Sequence, residues 1–167
     1  MSKISVAFTG PSNSGKTTII EKLAKLLIQE LKKEVVIIKN DPKDKATFDY
    51  EGKDSDKFSK TGAEVFVTSP NRTTFLSKRH KTIDEMISIA GDFDYLLVEG
   101  LKTLPLPRIG IFRNKIDLDY ISVIDALAID DSINISDYQL PKSLTILDLN
   151  NQNEILDWIN INGKKVD

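Results

Sequence analysis

The chain has 167 residues, and its 23 Lys and Arg against 25 Asp and Glu give a formal net charge of −2. The 40% hydrophobic share excludes a disordered chain of low hydrophobicity and high net charge. The near-neutral balance argues against a protein that binds nucleic acid by neutralising phosphates. No cysteine is present, which excludes a disulfide framework, a thiolate metal site and a cysteine nucleophile.

Length and hydropathy set further expectations about the organisation and location of the chain. A chain of this size has room for a sizeable core, so we expect residues 1–167 to form one domain. No apolar run approaches the ~20 residues of a membrane span, and the run before Gly10 is too short for a signal-peptide core. We therefore expect a soluble, cytoplasmic protein with no membrane partner.

Short apolar runs alternate with helical patterns along the chain, which predicts an α/β fold with a parallel sheet covered by helices. A 3.6-residue apolar period predicts a helix over residues 17–31. A shorter helix ends at Gly62, and Thr82 and Glu85 have the spacing of a capping box that opens another. A last helix is predicted around residues 154–161. The predicted strands are 4–8, 35–38, 63–68, 72–77 (a hairpin with the preceding strand), 93–98, 109–112, 122–129 and 144–147.

Residues 10–17 match the pattern G-x-x-x-x-G-K-[ST] without a mismatch, between a predicted buried strand and an amphipathic helix. The two glycines allow the backbone to wrap so that successive N–H groups point at phosphate oxygens, and the helix adds its positive dipole end. The lysine can supply a mobile positive charge, and the threonine hydroxyl can ligate Mg²⁺. The sequence thus predicts a nucleotide-binding P-loop. Its expected binding residues are Gly10, Pro11, Ser12, Asn13, Ser14, Gly15, Lys16, Thr17 and Thr18.

An acidic residue is expected at the end of a strand near the P-loop, where it can hold Mg²⁺ directly or through water. Glu99 follows the apolar run 95–98, which delivers it to the carboxyl edge of the sheet. Asp41, just past the second predicted strand, reaches the same edge. We therefore predict that Thr17, Glu99 and Asp41 contribute to a metal site, and that Lys16 and Glu99 are the catalytic residues.

Three other features have both a functional and a structural explanation. Residues 114–117 have the sequence N-K-I-D. This pattern recognises the guanine base in GTPases, but its polar residues are also common in turns. The charged segment 39–60 is either a solvated loop or a lid over phosphates. A basic cluster at Arg72 and residues 78–81 can offer a patch to an anionic partner, although clustered surface charge is usually only solvated. His80, in that cluster, is assigned no role.

With these motifs in place, the chain resembles the MobB family, whose members are adapters in molybdopterin-guanine dinucleotide biosynthesis. The resemblance rests on three blocks: the P-loop, Gly52-Lys53-Asp54-Ser55 followed by Gly62-Ala63, and the stretch from Leu96 to Lys102. It implies a three-layer P-loop NTPase fold with a mostly parallel central sheet, and binding of GTP with Mg²⁺ followed by weak hydrolysis. It also implies a homodimer that works with molybdenum-cofactor biosynthesis enzymes. Lys53 and Asp54 are then expected near the nucleotide.

The chain departs from the family pattern at two places, and other functions stay open. The family usually has several histidines after the second strand, where this chain has Lys39 to Lys43, and an Arg where this chain has Ser59. One alternative is a small-molecule kinase that uses ATP at the same P-loop, with segment 39–60 as its lid. Another is a metal-insertion GTPase, although such proteins tend to carry Cys or His clusters.

Overall fold

The computed structural model describes residues 3–166, which divide into two compact units. Unit 1 comprises residues up to 40 and from 92 onward, and unit 2 comprises Asp41–Gly91. No helix within residues 3–166 combines the length and the apolar sequence that crossing a bilayer requires.

Unit 1 is built on a seven-stranded, mostly parallel sheet, in keeping with the alternation of strand and helix patterns. The strands are β1 (Lys3–Thr9), β2 (Val35–Lys39), β5 (Tyr95–Glu99), β6 (Arg108–Phe112), β7 (Ala126–Ile129), β8 (Thr145–Asp148) and β9 (Lys164–Val166). They run in the order β2-β5-β1-β6-β7-β8, and β9 pairs antiparallel with the start of β1. The helices of this unit are α1 (Lys16–Lys25), which continues into a π-helical turn at Leu26–Glu30, and α4 (Gln152–Asn162).

The core of unit 1 lies between one face of the sheet and helices α1 and α4. Phe8 and Leu97 from the strands, Leu23 from α1 and Ile155 from α4 are all fully buried in this cluster. A second cluster on β6 and β7, around Phe112 and Leu127, is covered by residues of the loops and 3₁₀ turns that follow these strands. The central strands β1, β5 and β6 are therefore buried, which explains their continuous apolar sequences.

Unit 2 contains the two-stranded antiparallel sheet of β3 (Val65–Ser69) and β4 (Arg72–Leu76), with helices α2 (Asp54–Lys60) and α3 (Ile83–Ala90). Thr82 and Glu85 form the predicted capping box at the start of α3. Phe66 and Phe75 stack across the hairpin with ring centroids 4.5 Å apart. No apolar side chain of this unit is buried, so its hydrophobic residues are all at least partly exposed.

The predicted α/β fold with a mostly parallel central sheet is confirmed, but some element boundaries were wrong. The strand expected over residues 122–129 begins only at Ala126, because Ser122 and Val123 end a 3₁₀ turn over Leu118–Val123. The helix expected to run to residue 31 changes to π-helical hydrogen bonding at Leu26. Strand β9 was not predicted, since its charged sequence carries no strand signal.

Candidate functional site

The candidate site lies at the carboxyl edge of the sheet, where β1, β5 and β6 end side by side. Phe8 on β1 is in register with Glu99 on β5, and Thr9 is in register with Gly110 on β6. The loop after β1 therefore leaves the sheet between the ends of these two neighbours. This is the edge at which open α/β sheets place their ligands.

The backbone of the loop depends on its two glycines. Gly10 has φ 148°, and a Cβ built there would lie 2.3 Å from the carbonyl oxygen of Ile111 on β6. Gly15, with φ 104°, precedes the first residue of α1 and provides no side-chain cap. The first N–H groups of α1 are therefore left for another acceptor, which gives the loop the chemistry of an anion site.

Lys16 folds back across the loop that precedes it. Its Nζ donates to the carbonyl oxygens of Gly10 at 2.9 Å and Pro11 at 2.6 Å. Burial lowers the pKa of Lys16, while Glu99 opposes this shift and Lys39 adds to it. The ammonium group is thus held over the loop, beside the start of α1.

Ser14 is the buried residue of the loop, with 4% of its surface exposed. Its Oγ has no hydrogen-bond partner among residues 3–166. Buried hydroxyl groups are almost always hydrogen-bonded in folded proteins, so an unsatisfied one inside a candidate phosphate loop is consistent with a missing ligand partner.

Thr17 and Glu99, two of the residues expected to hold a metal, lie beside each other next to the loop. The Thr17 hydroxyl donates to Glu99 Oε2 at 3.5 Å, and Lys39 Nζ lies 3.5 Å from Glu99 Oε1. The Glu99 side chain is only 14% exposed. A hydroxyl and a carboxylate oxygen are the hard donors that Mg²⁺ takes from P-loop proteins, with phosphates and water completing its shell. Within residues 3–166 no cluster of three or more His, Cys, Asp or Glu could hold a metal by itself.

The loop after β5 is held in place by Arg108, which the sequence did not single out. This arginine is 1% exposed and donates to the carbonyl oxygens of Gly100 at 2.9 Å, Leu101 at 3.0 Å and Leu104 at 3.1 Å. Burial lowers the pKa of Arg108, and Asp125 partly offsets this. Because these carbonyls belong to the residues directly after β5, Arg108 fixes the turn that follows Glu99.

Arg113 is the second residue that sequence reasoning missed. It follows β6, and its guanidinium atoms lie 3.5–3.7 Å from the point where a Cβ on Gly15 would be. Its Nε pairs with Asp130 at 3.1 Å. The only sequence signal is its place between a strand and the N-K-I-D pattern, and that pattern does not reveal which strand neighbours the P-loop.

The N-K-I-D residues form a turn in the structure. Asp117 accepts a hydrogen bond from the backbone of Asp119 at 3.2 Å and so caps the following 3₁₀ turn. Asn114 has φ 66°, and its backbone N–H donates to Ser132 Oγ at 2.7 Å. These contacts explain the residues structurally, and a role in reading guanine stays a prediction.

The remaining predicted site residues belong to unit 2. Asp41 accepts backbone hydrogen bonds from Lys45 and Ala46, both at 2.7 Å. Lys53 precedes the first residue of α2, and Asp54 begins that helix and lies 3.3 Å from Lys57. The expectation that these residues join the nucleotide site stays a prediction.

Part of the basic cluster in unit 2 is neutralised locally. Glu64 pairs with Arg79 at 2.8 Å and with Lys81 at 2.6 Å. Hydrogen bonds from Lys81, Arg79 and Ser77 lower the pKa of Glu64 to about 2. Two of the cluster's cations therefore already have a carboxylate partner, which weakens the prediction of an anion-binding patch.

The loop between β1 and α1 is bounded by two glycines, and a lysine lies across it. A threonine at the start of α1 lies beside a carboxylate at the end of β5. Together these features define a P-loop protein of the nucleotide-binding α/β class. The family model for MobB, described as molybdopterin guanine dinucleotide synthesis protein B, matches residues 5–130. The chain therefore belongs to the MobB family.

Individual relatives agree with this membership. A molybdopterin-guanine dinucleotide biosynthesis adapter protein of Haemophilus influenzae is 31% identical over 92% of this chain and 86% of its own length. A Methanocaldococcus jannaschii protein whose name denotes the same kind of adapter is 29% identical over 79% of this chain, and the match spans only 57% of that longer protein. The fold is also that of a crystal structure of Bacillus subtilis MobB, 21% identical, which superposes with a TM-score of 0.75 over 96% of this chain and 98% of that one. The kinase alternative finds no support among these relatives.

Proposed function

We propose that this protein is a GTP-binding adapter in molybdopterin-guanine dinucleotide biosynthesis that holds Mg·GTP at its P-loop and hydrolyses it slowly. The observation that carries the proposal is the loop after β1, wrapped between Gly10 and Gly15 with Lys16 folded across it. Family membership and the adapter named in Haemophilus influenzae support the pathway.

Phosphate binding is the best supported part of the proposal. The N-terminus of α1 carries uncapped N–H groups and the positive end of the helix dipole. Lys16 already donates to two carbonyl oxygens, and a phosphate oxygen is a stronger acceptor because it is charged. The buried Ser14 hydroxyl has no hydrogen-bond partner within residues 3–166, and a bound phosphate would give it one.

The residues beside the loop fit a magnesium ion. Thr17 and Glu99 would hold it from the protein side, with the outer phosphates as further ligands. When bound, the ion would neutralise charge on the phosphates. Glu99 is kept at the edge of the site by its strand and by the turn that Arg108 holds.

The composition of the loop after Glu99 supports slow hydrolysis. Residues 100–107 contain neither Gln nor Arg, so this loop offers no side chain of the kind that positions water or stabilises the transition state in fast GTPases. Such groups are worth roughly 10³–10⁵ in rate. A nucleotide that persists for a long time suits an adapter that signals its loaded state to partner enzymes.

A homodimer is part of the proposal, together with a cytoplasmic site of action alongside molybdenum-cofactor enzymes. Unit 2 buries no apolar side chain, and Phe48, Tyr50, Phe58 and Phe66 are 59–82% exposed. An exposed set of aromatic residues of this kind is typical of a protein–protein contact surface. A second copy of the chain is the partner that the family resemblance implies.

The test is a calorimetric titration of the purified protein with Mg·GTP and Mg·ATP. We expect GTP to bind, and Lys16→Ala to abolish binding while the circular dichroism spectrum and melting temperature stay close to wild type. Lys22→Ala, which removes an exposed lysine from the same helix, is the matched control and should bind normally. Wild-type affinity in Lys16→Ala would refute the assignment of the loop.

Base preference and pathway need separate measurements. Preference for ATP, with transfer of phosphate to a small acceptor, would overturn the GTP adapter proposal in favour of a kinase. Affinity capture from native cytoplasm should retain molybdenum-cofactor biosynthesis enzymes with wild-type protein and lose them when GTP is removed. If the same enzymes were retained with and without GTP, the proposal that bound GTP signals to partner enzymes would be contradicted.

A further inference from the structure

Arg113 is placed against the P-loop by the order of the strands. Strand β6 pairs with β1, so the residue that follows β6 lies beside the loop that follows β1. The Nε, Cζ and one Nη of Arg113 lie 3.5, 3.6 and 3.7 Å from the Cβ position of Gly15. These nearly equal distances show that the guanidinium lies flat over Gly15, at the entrance to α1.

The guanidinium is held in this place from its other side. Asp130, directly after β7, pairs with Nε at 3.1 Å. The backbone N–H and the hydroxyl of Ser132 both donate to Asp130 Oδ1, and Asn114 N–H donates to Ser132 Oγ at 2.7 Å. The loops after β6 and β7 are thus tied together around the ion pair. Because Asp130 pairs with Nε, the two Nη groups of Arg113 can donate hydrogen bonds to another acceptor.

Positive charge is concentrated at this position. Arg113 stands at the N-terminus of α1, where the helix dipole is positive, and the Lys16 ammonium lies across the same loop. Asp130 is engaged on the β7 side and offsets only part of this charge. The unpartnered hydroxyl of Ser14, on a residue with 4% exposure, independently indicates a missing hydrogen-bond partner in the same loop.

The side of the loop on which Arg113 lies determines which part of a nucleotide it can reach. Thr17, Glu99 and Lys39 are gathered on the β5 side, where they would hold a Mg²⁺ ion and the outer phosphates. Arg113 follows β6, on the opposite side of β1. If the outer end of a triphosphate lay beside Thr17 and Glu99, its nucleoside end would extend toward β6.

We propose that Arg113 is a nucleotide-contacting residue whose Nη groups donate to the phosphate attached to the nucleoside, with Asp130 as its positioning partner. The inference rests on the proposed function, because it requires a nucleotide at this loop. It adds a charged contact on the nucleoside side of the loop, separate from the magnesium side.

The test compares wild type, Arg113→Gln and Lys22→Gln for binding of GTP and GDP, with and without Mg²⁺. Lys22 is an exposed cation on α1 and serves as the control. If Arg113 donates a charge-assisted hydrogen bond to the inner phosphate, Arg113→Gln should weaken the binding of GTP and of GDP by the same factor. We expect a loss of about 10- to 100-fold in affinity, whether or not Mg²⁺ is present. Lys22→Gln should bind as wild type does.

Replacing a non-bridging oxygen of the inner phosphate by sulfur tests the contact directly. The difference in affinity between GTP and the sulfur analogue should depend on Arg113 only if its side chain contacts that phosphate. We expect one diastereomer of the α-thio analogue of GTP to bind wild type more weakly than GTP, and this difference to shrink in Arg113→Gln. Asp130→Asn, which keeps the arginine but weakens its anchor, should lose affinity by a smaller factor. A thio effect of the same size in wild type and Arg113→Gln would overturn the proposed contact.

The outcomes separate the inference from the function on which it rests. Failure of wild type to bind any guanine nucleotide would overturn both. Normal binding by wild type with affinities within twofold in Arg113→Gln would overturn only the role of Arg113. A loss confined to GTP, with GDP unaffected, would place the contact on the outermost phosphate and would overturn the assignment to the inner one.

Discussion

Replacing Arg108 by Met removes a buried guanidinium while keeping a side chain of comparable reach. The carbonyl oxygens of Gly100, Leu101 and Leu104 then lose their donor together. An unsatisfied buried acceptor costs about 1–3 kcal/mol. These three residues are partly rather than fully buried, so the lower figure applies to each carbonyl. The expected loss in the free energy of unfolding is about 3 kcal/mol.

The single tryptophan makes the measurement direct. Trp158 is 7% exposed and belongs to the core of unit 1, so its fluorescence reports urea unfolding of the unit that contains Arg108. For a chain of this size, about 3 kcal/mol corresponds to a fall in melting temperature of roughly 6–12 °C. Arg72→Met, an exposed arginine replaced in the same way, should stay within about 0.5 kcal/mol of wild type.

An unchanged urea midpoint in Arg108→Met would refute the reasoning, since it would mean that the three carbonyls gain nothing from their donor. Arg108→Lys is informative in addition, because a single ammonium group cannot reach all three carbonyls in the geometry of a guanidinium. We expect this variant to lie between wild type and Arg108→Met.

Three further changes test other parts of the structure. Gly10→Ala places a Cβ 2.3 Å from the carbonyl oxygen of Ile111 and should impair both folding and nucleotide binding, measured by thermal melting and titration. Thr82→Ala removes the cap of α3 and should destabilise the protein by about 1 kcal/mol in thermal melts of purified variants. The pKa of Glu64 is about 2 in the folded protein against 4.5 ordinarily, so its pairing stabilises the fold above pH 4.5 and is lost as pH falls toward 2. Glu64→Gln should therefore flatten the stability profile between these pH values.

Each of these changes has a control within the chain. Gly52→Ala alters a glycine that also has positive φ but no atom within 4 Å of its Cβ position, so it should cost less than Gly10→Ala. Thr82→Ser keeps a hydroxyl and should retain the cap. Asp84→Asn removes a carboxylate from the same unit, and a pH profile flattened as much as that of Glu64→Gln would contradict the role given to Glu64.

The parts of the site that the sequence predicted are those encoded in short contiguous segments. The P-loop pattern contains its own strand, turn and helix start, so its local geometry depends on neighbouring residues. Glu99 was predictable because four apolar residues directly precede it and place it at the end of a strand. Both inferences needed only the rule that parallel strands end at one edge.

Arg108 and Arg113 were not predictable because their roles depend on which strands are neighbours. Arg113 lies near Gly15 only because β6 lies beside β1, and the sequence does not specify the strand order. Arg108 begins an apolar strand and looks like a boundary residue until its three carbonyl partners are known. The apolar residues Val123 and Ile124 resemble a strand in the sequence, but Val123 ends the 3₁₀ turn over Leu118–Val123 and Ile124 packs against β6 and β7.

The pairing of β1 also sets the order in which the protein is built. Its parallel neighbours begin at Tyr95 and Arg108, so a ribosome must release more than a hundred residues before this strand has a partner on each side. The turn at Gly10 packs directly on Ile111 and cannot be supported earlier. Such distant pairings slow folding and leave apolar strands uncovered for longer. A nascent chain therefore cannot complete this loop until β6 has emerged, long after the P-loop motif itself has been made.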